Sequence, residues 1–142
     1  MRVVLCVLSV ALVSSLGLSA QDVFLIIHPS NKNLSLSQKD VQKIYLNRKR
    51  RWDNGDKITP ITLNTGKVHK VFLSQYLHKG ERQFSTFWKR LLFTGKGVPP
   101  TSFATEDEVV AFVAKTPGAI GYVGVGTILK EVTPVMILKD SS

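Results

Sequence analysis

The stretch Thr105–Val125, "TEDEVVAFVAKTPGAIGYVGV", carries a helical pattern and a strand pattern back to back. Thr105 with Glu108 three residues on is a capping box, and Glu106 and Asp107 complement the positive end of the helix dipole. Val109, Val110, Phe112 and Val113 supply the apolar side, and Pro117-Gly118 stops the helix. Ala119–Val125 then reads as a strand. A helix handed straight to a branched, apolar strand points to an α/β class.

The alternation extends in both directions. Asp22–His28, "DVFLIIH", is an unbroken apolar run stopped by Pro29, as expected of a buried, central strand. Ser30–Asn33 is a polar turn. Ser37 and Asp40 form a second capping box, with Leu36 placed to staple onto Val41, and Val41, Ile44 and Tyr45 face a helix inward to about Leu46. Ile58–Asn64 is a second strand, with Pro60 placing it at an edge or at a strand start. A helix with Val68, Val71, Phe72 and Tyr76 on one side follows "NTGK". Another is marked by Phe84, Phe87, Trp88, Leu91 and Leu92, which recur at helical spacing. Thr94–Pro100 is a loop, and Val132–Leu138 is a fourth strand.

Charge and leader bound the function. The chain has a formal net charge of +9, and Arg48, Lys49, Arg50 and Arg51 run into Trp52 within Ile44–Ile58, "IYLNRKRRWDNGDKI". A basic cluster beside an aromatic is a footprint of nucleic-acid binding. Residues 1–20, however, show Arg2, an apolar run from Val3 to Val13 and a small-residue exit at Ser19-Ala20. That is the pattern of a secretory signal peptide, with an apolar run shorter than a membrane span requires. Export to the periplasm takes the chain away from nucleic acid and turns its positive charge toward small anions or acidic surfaces. Residues 21–142 are then one domain that does not span the membrane. Cys6, the single cysteine, lies within the leader, so apolar packing must supply the stability. The basic run suits the C-terminus of the helix before it, with Trp52 packed where the glycine turn begins and the cations on a solvated rim.

No catalytic or metal-binding constellation is present. His28, His69 and His78 have neither a nearby cysteine nor ligand spacing, and no serine sits in a G-x-S-x-G context. Asp53 and Asp56 flank a glycine turn, where carboxylates serve turn hydrogen bonds. The expectation is a non-enzyme without cofactor or metal. "LNTGK", Leu63–Lys67, leaves a strand and opens a helix. Gly66 there lets an anion approach free backbone N–H groups, with Asn64, the Thr65 hydroxyl and the Lys67 charge beside it. The competing reading is an ordinary N-cap, in which Asn64 or Thr65 satisfies the first turn.

In order, "LSLSQKDVQKIYLNRKRRWDNGDKITPI", "VFLSQYL", "FWKRLLFTGKGVPP" and "VVAFVAKTPGAIGYV" resemble the phosphate substrate-binding proteins of bacterial ABC transporters. More narrowly, they resemble short, one-lobe relatives with the periplasmic-binding-protein-like type II fold, over about Val23–Val125. The resemblance implies a single three-layer lobe, a mixed sheet of about four or five strands flanked by about four helices. It also implies a periplasmic, non-enzymatic protein that binds inorganic phosphate or a similar oxyanion in phosphate transport or sensing. Its partner would be an ABC transporter permease or another envelope protein. Full-length members resembling this chain place an arginine and a Ser-Gly-Thr where this chain has Leu63, Asn64, Thr65, Gly66 and Lys67. The glycine and a hydroxyl are kept, the arginine is not, and there is room for one lobe. An open lobe holds an anion more weakly than a closed pair that excludes water. The alternative role is an envelope interaction module that keeps the fold and uses its basic surface to bind a protein.

Overall fold

The computed structural model describes residues 23–31, 34–135 and 137–138, and the expected leader lies outside them. Strand β1, Val23–Ile27, is buried except at Phe24. A two-residue strand β2, Leu36–Ser37, leads into helix α1, Gln38–Tyr45. Strand β3 is Thr59–Leu63. Helix α2, Lys67–Phe72, runs on into a π-helical turn over Leu73–Leu77. Helix α3, Glu81–Phe93, is followed by strand β4, Thr101–Phe103. Helix α4 is Glu106–Lys115, β5 is Ala119–Gly124, and two short strands follow, β6 at Thr133–Pro134 and β7 at Ile137–Leu138.

The main sheet has the order β4-β3-β5-β1-β6. β3 is parallel to both β4 and β5, whereas β1 is antiparallel to β5 and β6. This is the expected mixed α/β sheet flanked by four α-helices. β5 sits at its centre, with all six residues buried. Neighbouring residues of a strand face opposite sides, and β5 shows both layers. Gly121 faces α4, since a Cβ there would lie 2.7 Å from Val109 Cγ1 and 3.3 Å from Val113 Cγ2. Tyr122 faces α1 and α2, stacked on Phe72 at 3.8 Å between ring centroids, with Tyr45 at 6.1 Å.

The local signals are realised closely. Ser37 Oγ accepts from Asp40 N and the Asp40 carboxylate accepts from Ser37 N, both at 3.1 Å. Trp52 is buried and donates its indole N–H to Gly118 O at 3.0 Å. Arg48, Arg50 and Arg51 are exposed, as a solvated rim requires. β3 is an interior strand, and of the two places expected for Pro60 the structure takes the strand start. Pro60 pairs only with Ile120, before β4 joins at Ile61. The expected strand Val132–Leu138 is divided between β6, paired with β1, and β7, paired with β2; Met136 lies outside the described residues. The Thr94–Pro100 loop is found as expected, and it leads into a strand, β4, that its short and exposed sequence did not announce. Finally, Glu108 reaches back to Ala104 N and not to Thr105 N, so the α4 box is only half closed.

Candidate functional site

Because β3, β4 and β5 run parallel, their carboxyl ends at Leu63, Phe103 and Gly124 lie on one side of the sheet. α2 and α4 both begin there, the place where open α/β sheets bind ligands. Asn64, Thr65, Gly66 and Lys67 form the turn between β3 and α2, and all four are exposed. Asn64 N donates to Phe103 O at 2.9 Å, which fixes the turn to β4.

Gly66 is the residue that caps α2, with φ 104° and ψ 174°, and no side-chain hydrogen bond closes the helix end. The ordinary-cap reading, with Asn64 or Thr65 satisfying the first turn, is therefore not what the structure adopts. Only glycine enters this backbone region without strain. The result is an uncapped set of first-turn amides, beginning at Lys67, with the Lys67 ammonium exposed beside it. Such an end carries partial positive charge and N–H groups free to meet an anion.

Three further residues build the junction. Tyr122 Oη accepts from Leu63 N at 3.1 Å and makes a short hydrogen bond with His69 Nδ1. The hydroxyl can both donate and accept, so it donates to Nδ1 in the tautomer with the imidazole proton on Nε2 and accepts from Nδ1–H in the other. One hydroxyl thus ties the residue before the turn to the first turn of α2. Glu106 closes the third side. Its carboxylate accepts from Gly124 N at 2.9 Å and from Thr127 Oγ1 at 2.7 Å. Glu106 Oε1 and Val68 Cγ2 each lie 3.0 Å from the point a Gly124 Cβ would occupy, so the carboxylate flanks the start of α2. Sequence reasoning took Glu106 only as a helix-dipole residue and His69 only as a histidine without ligand spacing. The pairings span up to 59 residues, and no local pattern encodes them.

Burial pushes the His69 pKa below its ordinary 6.5, against an opposing pull from Glu81. A histidine held neutral in the fold protonates more readily when unfolded, so its contribution is present above about pH 6.5 and declines as pH falls through that value. In the tautomer where Nδ1 accepts from Tyr122, protonation would also place a proton on that nitrogen. The melting temperature is accordingly expected to fall between pH 7 and pH 5, measured by circular dichroism. His69→Gln should flatten that dependence, and an equal slope in the variant would reject the assignment.

Among the described residues no group of three or more His, Cys, Asp or Glu side chains could hold a metal ion, and no helix is long and apolar enough to cross a membrane.

The sequence matches no protein-family model, and no curated protein is similar to it. Solved structures do match. PstS from Borrelia burgdorferi superposes with a TM-score of 0.64 at 17% identity. A phosphate-bound Clostridium perfringens protein, described as a phosphate ABC transporter substrate-binding protein, gives 0.62 at 15%. An ABC-type phosphate transport receptor from Vibrio cholerae gives 0.56 at 13%. Each match covers 81% of this chain but only 46%, 44% and 45%, respectively, of those chains. This chain therefore spans under half the length of the proteins it resembles. At such identities the likeness shows the fold, and the expected lobe architecture is the one found.

Proposed function

We propose that this chain is an exported, non-enzymatic module that binds inorganic phosphate or a similar oxyanion at the β3–α2 turn, through Asn64, Thr65, Gly66 and Lys67. The observation that carries this reading is the opening of α2 at Gly66 without a side-chain cap, at the carboxyl end of the parallel strands. The amides of the first turn and the Thr65 hydroxyl donate to the anion, and Lys67 supplies the charge. The fold shared with a phosphate-bound protein supports the choice of ligand. Transport or sensing of phosphate in the envelope is the setting that suits such a module, with a permease or another envelope protein as its partner.

An open turn beside the Glu106 carboxylate binds modestly, with a Kd on the order of 1 mM, equivalent to about −4 kcal/mol. Calorimetric titration of the purified protein with phosphate, and with sulfate in parallel, should give saturable binding in that range. Lys67→Ala should weaken it about tenfold, or about 1.4 kcal/mol. Gly66→Val should abolish it, since a branched side chain does not adopt φ 104°. Absence of binding at tens of millimolar phosphate, or full retention in both variants, would overturn the assignment. Amino-terminal sequencing of the protein from a periplasmic fraction tests export, with a start near Gln21 expected.

A further inference from the structure

At the opposite end of β3, where Ile58, Thr59 and Pro60 enter the sheet, the surface opens into a groove of about 780 Å³. One wall is the end of α1 and the basic run, and the other is the end of α3 with the loop to β4. Lys49, Arg50, Arg51, Lys57 and Lys96 line it, and no carboxylate does. Among the described residues the one ion pair is Lys49–Asp53, at 3.5 Å and with Asp53 exposed, a weak surface contact. Arg50 and Arg51 donate only to backbone carbonyls, those of Lys96 at 3.3 Å and Gly55 at 2.9 Å. Neither contact neutralises a guanidinium.

The groove also has an apolar side. Leu92 and Val98 line it while 51% and 79% exposed, and Phe93 beside Leu92 is 86% exposed. Exposed apolar side chains gathered within a charged rim mark interaction sites, whereas scattered ones do not. The walls are already joined. Asn47 Nδ2 and Arg50 Nη2 both donate to Lys96 O, and Gly97 lets Asn47 and Trp88 approach where a Cβ would meet Asn47 Nδ2 at 2.7 Å. A groove held open in this way loses little conformational freedom on binding.

We propose that this groove docks an extended, acidic segment of a partner protein, whose carboxylates pair with the five cations while its apolar side chains cover Leu92 and Val98. The concave shape and mixed lining suit a peptide, which can enter the groove as a flat anionic membrane cannot. This site stands apart from the oxyanion turn, at the other end of the same strand, and does not depend on it.

Selection of random linear peptides displayed on phage against the immobilised protein provides the test. The expected result is enrichment of sequences with several Asp or Glu residues around a Leu, Ile or Phe. A synthetic peptide of the enriched sequence should bind at least tenfold more weakly to Arg50→Glu/Lys96→Glu and more weakly to Leu92→Ser/Val98→Ser. Lys67→Ala should bind it unchanged, which separates this site from the phosphate reading. Circular dichroism melts confirm that each variant is folded. No enrichment, enrichment without acidic residues, or indifference to Leu92→Ser/Val98→Ser would overturn the proposal. So would saturable binding of phosphatidylglycerol vesicles that Arg50→Glu/Lys96→Glu abolishes.

Discussion

Gly118→Ala is expected to destabilise the protein by about 2–6 kcal/mol, although it adds a single methyl group. Two effects act together at this position. Gly118 has φ +82°, a left-handed conformation that costs other residues about 1–3 kcal/mol. A Cβ there would also overlap the backbone carbonyl oxygen of Lys57, which no rotamer change relieves, adding about 1–3 kcal/mol of overpacking. Movement of the chain away from that overlap would strain two hydrogen bonds to the Gly118 carbonyl, from Trp52 Nε1 and from Thr59 N, each 3.0 Å. Those bonds attach the glycine turn and the start of β3 to the start of β5. Gly55→Ala is the control. Its φ of +92° carries the same backbone penalty, but nothing lies within 4 Å of its Cβ position. Urea unfolding should show Gly118→Ala less stable than Gly55→Ala by at least about 1 kcal/mol. Equal losses would show that the Lys57 contact yields freely and that only the backbone angle matters.

The same Pro117-Gly118 pair was legible in the sequence as a helix stop, because a stop is a local property of proline and glycine. Its role as acceptor for Trp52 was not, since that contact joins residues 66 apart. The division is general in this chain. The Ser37–Asp40 box, the apolar runs of β1 and β5 and the helical spacing of α3 are written within a few residues, and the structure repeats them. β2, β4, β6 and β7 are two or three residues long and exist because tertiary packing brings backbone groups into register. The π-helical turn after Phe72 likewise follows a run that reads as ordinary helix.

The candidate site divides in the same way. "NTGK" announced a glycine at a strand-to-helix turn, and Gly66 does open α2. Whether Asn64 or Thr65 would cap that helix could not be read from residues that are both good caps; only the backbone path decides it. The basic run was legible as the charged end of α1, yet the groove it helps to form depends on Lys96, Leu92 and Val98 from a distant loop and helix.

Tyr122→Phe is the second large effect, and it tests what holds the candidate site in place. β3 and β5 are paired only at Thr59–Ala119 and Pro60–Ile120, and beyond that point tyrosine hydroxyls serve backbone groups that strand pairing would otherwise satisfy. Tyr45 Oη donates to Ile61 O at 3.0 Å and Ile120 O at 3.2 Å, and Tyr122 Oη accepts from Leu63 N. Phenylalanine at 122 keeps the stacking on Phe72 but leaves the Leu63 N–H and His69 Nδ1 buried without this partner. Each unsatisfied group costs about 1–3 kcal/mol, so a loss on the order of 2–6 kcal/mol is expected. Tyr45→Phe should lose less, because it orphans acceptors only and carbonyls tolerate under-satisfaction better than N–H groups do. Hydrogen exchange should also quicken at the Leu63 amide in Tyr122→Phe and remain slow there in Tyr45→Phe. If Tyr45→Phe proved the more damaging, the Tyr122 hydroxyl would not be the clasp that joins β3 to α2. The turn at Asn64–Lys67 would then be held chiefly by Asn64 N on Phe103 O and by apolar packing.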